Sequence, residues 1–98
     1  MNKVLVEFGY ERHGYVLITN EVEIEFVDER DFVKKCLLEE FGSEKECEDY
    51  WEEVFEIKNM EEIVSEVIDI REVDKEIEGF KEFGYVFSDG GFFRVKDS

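Results

Sequence analysis

Ninety-eight residues suffice for one domain built on one core, and are too few for two. An apolar share of 43%, with ten Phe, four Tyr and Trp51, excludes a disordered acidic tail. The 28 acidic and 12 basic residues leave a formal net charge of −16, which argues against direct contact with DNA, RNA or an anionic membrane, since each selects positive charge.

In chain order, Val4, Val6 and Phe8 alternate with Leu5 and Glu7 and predict a strand. Glu11-Arg12-His13-Gly14 interrupts it before Tyr15-Val16-Leu17-Ile18, so a hairpin is expected. Thr19-Asn20 reads as a second turn. Glu21 to Phe26 then alternates strictly, which buries Val22, Ile24 and Phe26 and leaves carboxylates on the other face. Three antiparallel strands are therefore expected in this third of the chain.

At Asp28 the period changes to that of a helix. Phe32, Val33, Cys36, Leu37 and Phe41 recur on one face, Asp28 is placed to cap the start, and Gly42 suits a left-handed ending. Ser43-Glu44-Lys45-Glu46 is a capping box that opens a second helix. That helix sorts Cys47, Tyr50, Trp51, Val54 and Phe55 onto one arc and its acids onto the other.

Asn59 caps a third helix through Met60, Ile63, Val64 and Val67, whereas Ile68, Ile70 and Val73 fit either its continuation or a short strand. Asp74 to Phe83 reads as a short last helix closed by Gly84. Tyr85-Val86-Phe87, a Ser88-Asp89-Gly90-Gly91 turn and Phe92 to Val95 predict a carboxy-terminal hairpin. The expected class is α+β, one domain over residues 1–98, with an antiparallel sheet of three amino-terminal strands plus that hairpin and three to four helices packed on one face.

Little in the chain suits catalysis. His13 is the lone histidine and falls in a predicted turn, so neither a triad nor a histidine metal site has partners to draw on. Cys36 and Cys47 lie within predicted helices and form no CxxC pair, so they read as small core residues with reduced thiols, and zinc is unsupported. Asp89-Gly90-Gly91 lacks the alternating ligands of a calcium loop, and the glycines at 9, 14, 42, 84, 90 and 91 read as turns or element ends. No cofactor, metal or enzymatic activity is expected. The chain shows neither a signal peptide nor a long apolar run, so it reads as cytoplasmic.

What remains is a pattern of charge. Between Glu39 and Glu62 stand eleven acids against Lys45 and Lys58, so this stretch holds −9 of the −16. Glu44, Glu48, Glu52 and Glu56 are four apart, about 6 Å on a helix, and Glu21, Glu23 and Glu25 repeat at about 6.8 Å on a strand. Both spacings are comparable with those of neighbouring phosphates. Like charges at i,i+4 cost a helix a few tenths of a kcal/mol per pair, and like-charge rows repeated on a helix and a strand have no evident structural return.

In size and acidity the chain resembles small phage-encoded inhibitors that mimic DNA, such as some anti-CRISPR and anti-restriction proteins. The resemblance implies a protein that occupies the DNA-binding surface of a nuclease or another host defence factor, without catalysis. The residues expected to act as phosphate surrogates are Glu44, Glu48, Asp49, Glu52, Glu53 and Glu56, with Glu39, Glu40, Glu61 and Glu62 at the margin. The expected partner is thus a basic, nucleic-acid-binding protein. A second class is an immunity or antitoxin-type protein that covers a basic toxin, anchored by Tyr10, Tyr15, Phe92 or Phe93. A third is a homo-oligomer, such as a homodimer, joined through the edge of the terminal hairpin.

Overall fold

A computed structural model describes residues 2–74, 85–86 and 91–95. The elements are β1 (Asn2–Arg12), β2 (Tyr15–Phe26), α1 (Glu29–Phe41), α2 (Glu44–Phe55), α3 (Met60–Asp74), β3 (Tyr85–Val86) and β4 (Gly91–Val95). The strands form one antiparallel sheet in the order β2-β1-β4-β3. The class is α+β, as the alternation of periods implied. The expected fourth helix, Asp74 to Phe83, and the turn of the terminal hairpin fall largely outside the described residues, while Gly91 belongs to β4 rather than to a turn.

The amino-terminal region corrects one expectation. Thr19 and Asn20 make no turn, because β2 runs unbroken from Tyr15 to Phe26 and the predicted second and third strands are one. The register explains how: Phe8 faces Asn20 whereas Gly9 faces Ile18, so Thr19 is an extra residue on β2, a β-bulge. Its hydroxyl donates to the Phe8 carbonyl at 3.2 Å. Gly9 is therefore a mid-strand glycine, not punctuation. A Cβ there would overlap the Leu17 carbonyl oxygen and lie 3.0 Å from Ile18 Cα. The true turn is His13-Gly14, two residues with φ of 52° and 84°, as the primed turns that join twisted strands require.

Each helix starts where a side chain can cap it. Asp28 accepts from the Asp31 amide at 2.8 Å, Ser43 from the Glu46 amide at 3.1 Å, and Asn59 from the Glu62 amide at 3.0 Å. Gly42, at φ 87°, ends α1 and donates to Leu38 at 2.9 Å. The Asp31 carboxylate accepts from the Val27 amide, which holds its pKa below the usual aspartate value, and Lys35 at 3.2 Å adds to the effect. The third helix settles the open reading of Ile68, Ile70 and Val73: they continue α3.

The core forms where these helices meet one sheet face. Val6, Phe8, Ile24 and Phe93 pack with Phe32, Val33, Cys36 and Leu37 of α1, Cys47 and Trp51 of α2, and Met60, Ile63, Val64 and Val67 of α3. Both cysteines are free and buried, as expected. Burial pushes the Cys47 thiol up to about 12, and the neighbouring Glu48 and Glu44 carboxylates reinforce the shift. Phe92 is buried as well, with the Arg94 guanidinium 5.3 Å from its ring centre. Phe92 and Phe93 are therefore not the exposed anchors the sequence suggested: Phe93, opposite Phe8, lies on the helix-facing side, and Phe92 is buried on the other side. Tyr10 and Tyr15 are exposed.

Candidate acidic interface

The predicted site residues occupy three consecutive elements. Glu39 and Glu40 end α1, Glu44, Glu48, Asp49, Glu52 and Glu53 lie on α2 with Glu56 as its C-cap, and Glu61 and Glu62 open α3. Position along the helix divides them. A helix carries partial positive charge at its amino end and partial negative charge at its carboxy end, so an acid is favoured in the first turn and opposed in the last.

Glu44, Glu61 and Glu62 stand in first turns, where they stabilise their own helices. Glu39, Glu40, Glu52, Glu53 and Glu56 stand at carboxy ends, and no basic residue occupies the last turn of α1 or α2. Glu39, Glu52, Glu53 and Glu56 each cost their helix about 0.3 to 1 kcal/mol at low salt. Glu40 is half-buried, and the other four are exposed.

Glu48 departs from the expected outward row. It is half-buried, and its Oε2 accepts from the Met60 amide at 3.1 Å. The carboxylate thus meets the positive end of α3 from a neighbouring helix and ties α2 to α3. Glu56 departs too: φ 59° and ψ 29° put it in the left-handed region, so the regular helical spacing stops at Glu52. Its amide still donates to Glu52 at 3.1 Å, and the Ile57 amide reaches Trp51 at 3.2 Å. Asp49 pairs with Lys45 at 3.1 Å in an exposed i,i+4 ion pair. The exposed acids of α2 and its C-cap, Glu44, Glu46, Asp49, Glu52, Glu53 and Glu56, are thus spread around the outer side of the helix rather than in the single file the four-residue spacing suggested.

Aromatic rings connect the two acid-bearing helix ends. Phe41 lies 5.1 Å from Tyr50, Tyr50 lies 6.3 Å from Phe55, and Phe55 lies 4.6 Å from Trp51. Trp51 is buried, whereas Val54 is 46% and Phe55 40% exposed, so apolar surface emerges among Glu52, Glu53 and Glu56. Periodicity had placed Val54 and Phe55 on the inward arc. They emerge because α2 ends there, and no sequence pattern distinguishes the last apolar turn from a covered one.

The strand row is distinct. Glu21, Glu23 and Glu25 are exposed on β2, and Lys3 from adjacent β1 reaches Glu23 at 2.8 Å and Glu25 at 3.7 Å. Among the described residues, no group of three or more His, Cys, Asp or Glu is arranged to hold a metal ion, and no helix is long and apolar enough to cross a membrane. No protein-family model, curated protein or solved structure matches this chain.

Proposed function

We propose that the protein is a non-enzymatic acidic inhibitor that binds the basic, nucleic-acid-binding surface of a partner protein, with its carboxylates standing in for phosphates. The observation that carries this reading is the placement of the exposed Glu39, Glu52, Glu53 and Glu56 at negatively polarised helix ends. Local stability does not account for acids there, whereas an exposed anionic surface for a cationic partner does. Such an inhibitor acts in the cytoplasm, in that of the host if a phage encodes it, and targets a nuclease or a comparable defence effector of the anti-CRISPR or anti-restriction type.

The emergence of Val54 and Phe55 among the acids of α2 favours a second reading, an immunity-type protein that neutralises a basic toxin with an aromatic anchor inside a charged rim. One experiment separates the two. The protein is immobilised and used to capture host proteins with and without competing duplex DNA, alongside a Glu52→Lys, Glu53→Lys, Glu56→Lys variant and a Phe55→Ala variant. Glu48 is left intact because it caps α3. Phosphate mimicry requires a nucleic-acid-binding partner that DNA displaces and the charge-reversed variant no longer holds. The anchor reading requires a partner that DNA does not displace and Phe55→Ala releases. Capture that survives both variants sinks both readings.

A further inference from the structure

Among the described residues β2 is hydrogen-bonded to another strand along one side only, since the sheet order ends with it. A long exposed edge invites another chain, and proteins defend such edges with charge, bulges or covering side chains. Here the defence is uneven. The carboxy-terminal half carries Glu21, Glu23 and Glu25, and the Lys35 ammonium donates to the Glu25 carbonyl. The amino-terminal half, Tyr15 to Ile18, has no charged residue, yet Tyr15 is 81%, Val16 50% and Leu17 64% exposed.

We infer that the edge of β2 docks an extended segment of a basic partner protein as a further antiparallel strand, with apolar side chains beside Tyr15 to Ile18 and lysines or arginines beside Glu21, Glu23 and Glu25. Main-chain hydrogen bonds supply affinity in this mode, and alternate side chains supply specificity. The register fixes which side chains face together. Tyr10 pairs with Leu17 and Phe8 with Asn20, so Tyr15 and Leu17 continue the helix-facing side of the sheet, while Val16 and Ile18 share the outer side with the three glutamates. The incoming strand therefore presents, on its outer side, basic residues at alternate positions and then apolar ones.

Lys3 demonstrates the charge pairing from the opposite flank. A lysine on β1, the strand next to β2, contacts both Glu23 and Glu25. A lysine on a strand added to the other side stands about 4.8 Å from β2 and meets the same carboxylates. A second copy of this chain is disfavoured as the occupant, because two molecules of net charge −16 approach to well within the Debye length of about 8 Å at physiological salt. This edge is separate from the acids of α2, so either surface stands if the other fails.

The test uses the intact protein and a fluorescein-labelled peptide, Lys-Thr-Lys-Thr-Lys-Gly-Ser-Val-Tyr-Val-Thr, read by fluorescence anisotropy at physiological salt. Saturable binding is expected, weakened at least about tenfold by a Glu21→Lys, Glu23→Lys variant and changed less than about threefold by Glu52→Lys, Glu53→Lys, Glu56→Lys. Methylating alternate peptide amides makes the result independent of any variant's folding. One methylated set is expected to abolish binding and the complementary set to leave it intact, because only one set faces the edge. The inference is overturned by absence of saturable binding, by equal affinity for both methylated peptides, or by light scattering that shows the free protein to be a dimer which the peptide dissociates.

Discussion

Replacing Glu48 by alanine removes the acceptor that holds the first amide of α3, a half-buried contact of 3.1 Å between two helices whose bonded residues are twelve apart in sequence. Hydrogen bonds to charged groups contribute about 1.5 to 3 kcal/mol when buried, and loss of a helix cap costs about 1 kcal/mol. Because Glu48 keeps partial contact with water, about 1 to 2 kcal/mol is expected, or about 5 to 15 °C in Tm for a domain of this size. Glu48→Gln keeps an acceptor but loses its charge at the positive helix end, and costs about 0.5 kcal/mol. Glu52→Ala removes one of a like-charged i,i+4 pair from a helix end that disfavours it, and is expected to raise stability by about 0.3 to 1 kcal/mol. Urea and thermal denaturation followed by circular dichroism measure all three. If Glu48→Ala is no more harmful than Glu52→Ala, Glu48 does not hold α3 and the acid row consists of equivalent surface charges.

Gly9→Ala is expected to cost more than about 2 kcal/mol, since its Cβ overlaps the Leu17 carbonyl beside the bulge; an unchanged urea midpoint would contradict this. Glu56→Gly relieves a left-handed glutamate and is expected to raise stability by about 0.5 to 1 kcal/mol while weakening partner capture, so the same variant is read in both assays. The Cys47 thiol keeps its proton to about pH 12 in the native state, whereas its ordinary pKa is 9.0. Between those values the native state binds more protons than the unfolded one, so stability falls as pH rises through this window and is unaffected below it. A loss of about 1 kcal/mol is expected from pH 8 to 10, and it should be absent from Cys47→Ala measured in parallel.

Local chemistry made the helices legible. Asp28, Ser43 and Asn59 act on amides three residues ahead, so a short window contains both partners of each cap. The bulge was illegible because its causes lie apart: Thr19-Asn20 has the composition of a turn, and the glycine that admits the extra residue stands on the partner strand. Strict alternation from Glu21 to Phe26 was legible because one face is covered and the other is not. Phe93 is covered because its pairing with Phe8 of β1 puts it on the helix-facing side, and no pattern within the terminal strand encodes that distant pairing.

The candidate site was legible as a charge density and not as a surface. Spacing placed Glu48 in line with Glu44 and Glu52, but the same spacing brings it to the start of α3, and that geometry depends on how two helices pack. Val54 and Phe55 match the inward arc by period and emerge only because α2 stops. The division of acids into those that favour their helix and those that oppose it follows from element boundaries, which the caps had already marked.

The extra residue at Thr19 acts on the sheet as a change of phase. On one side of it even-numbered residues of β2 look toward the helices, and on the other side odd-numbered residues do, so a single insertion divides the strand into a structural half and a projecting arm. Deleting Thr19 would leave Asn20 opposite Phe8 and Ile18 opposite Gly9 in a regular ladder, so Tyr15 and Leu17 would stay on the helix-facing side and the bond from the Thr19 hydroxyl to the Phe8 carbonyl would be lost. Keeping Thr19 but pairing it in a regular ladder would have the opposite effect, since Ile18 would then stand opposite Tyr10 and the aromatic ring of Tyr15 would pass to the outer side of the sheet.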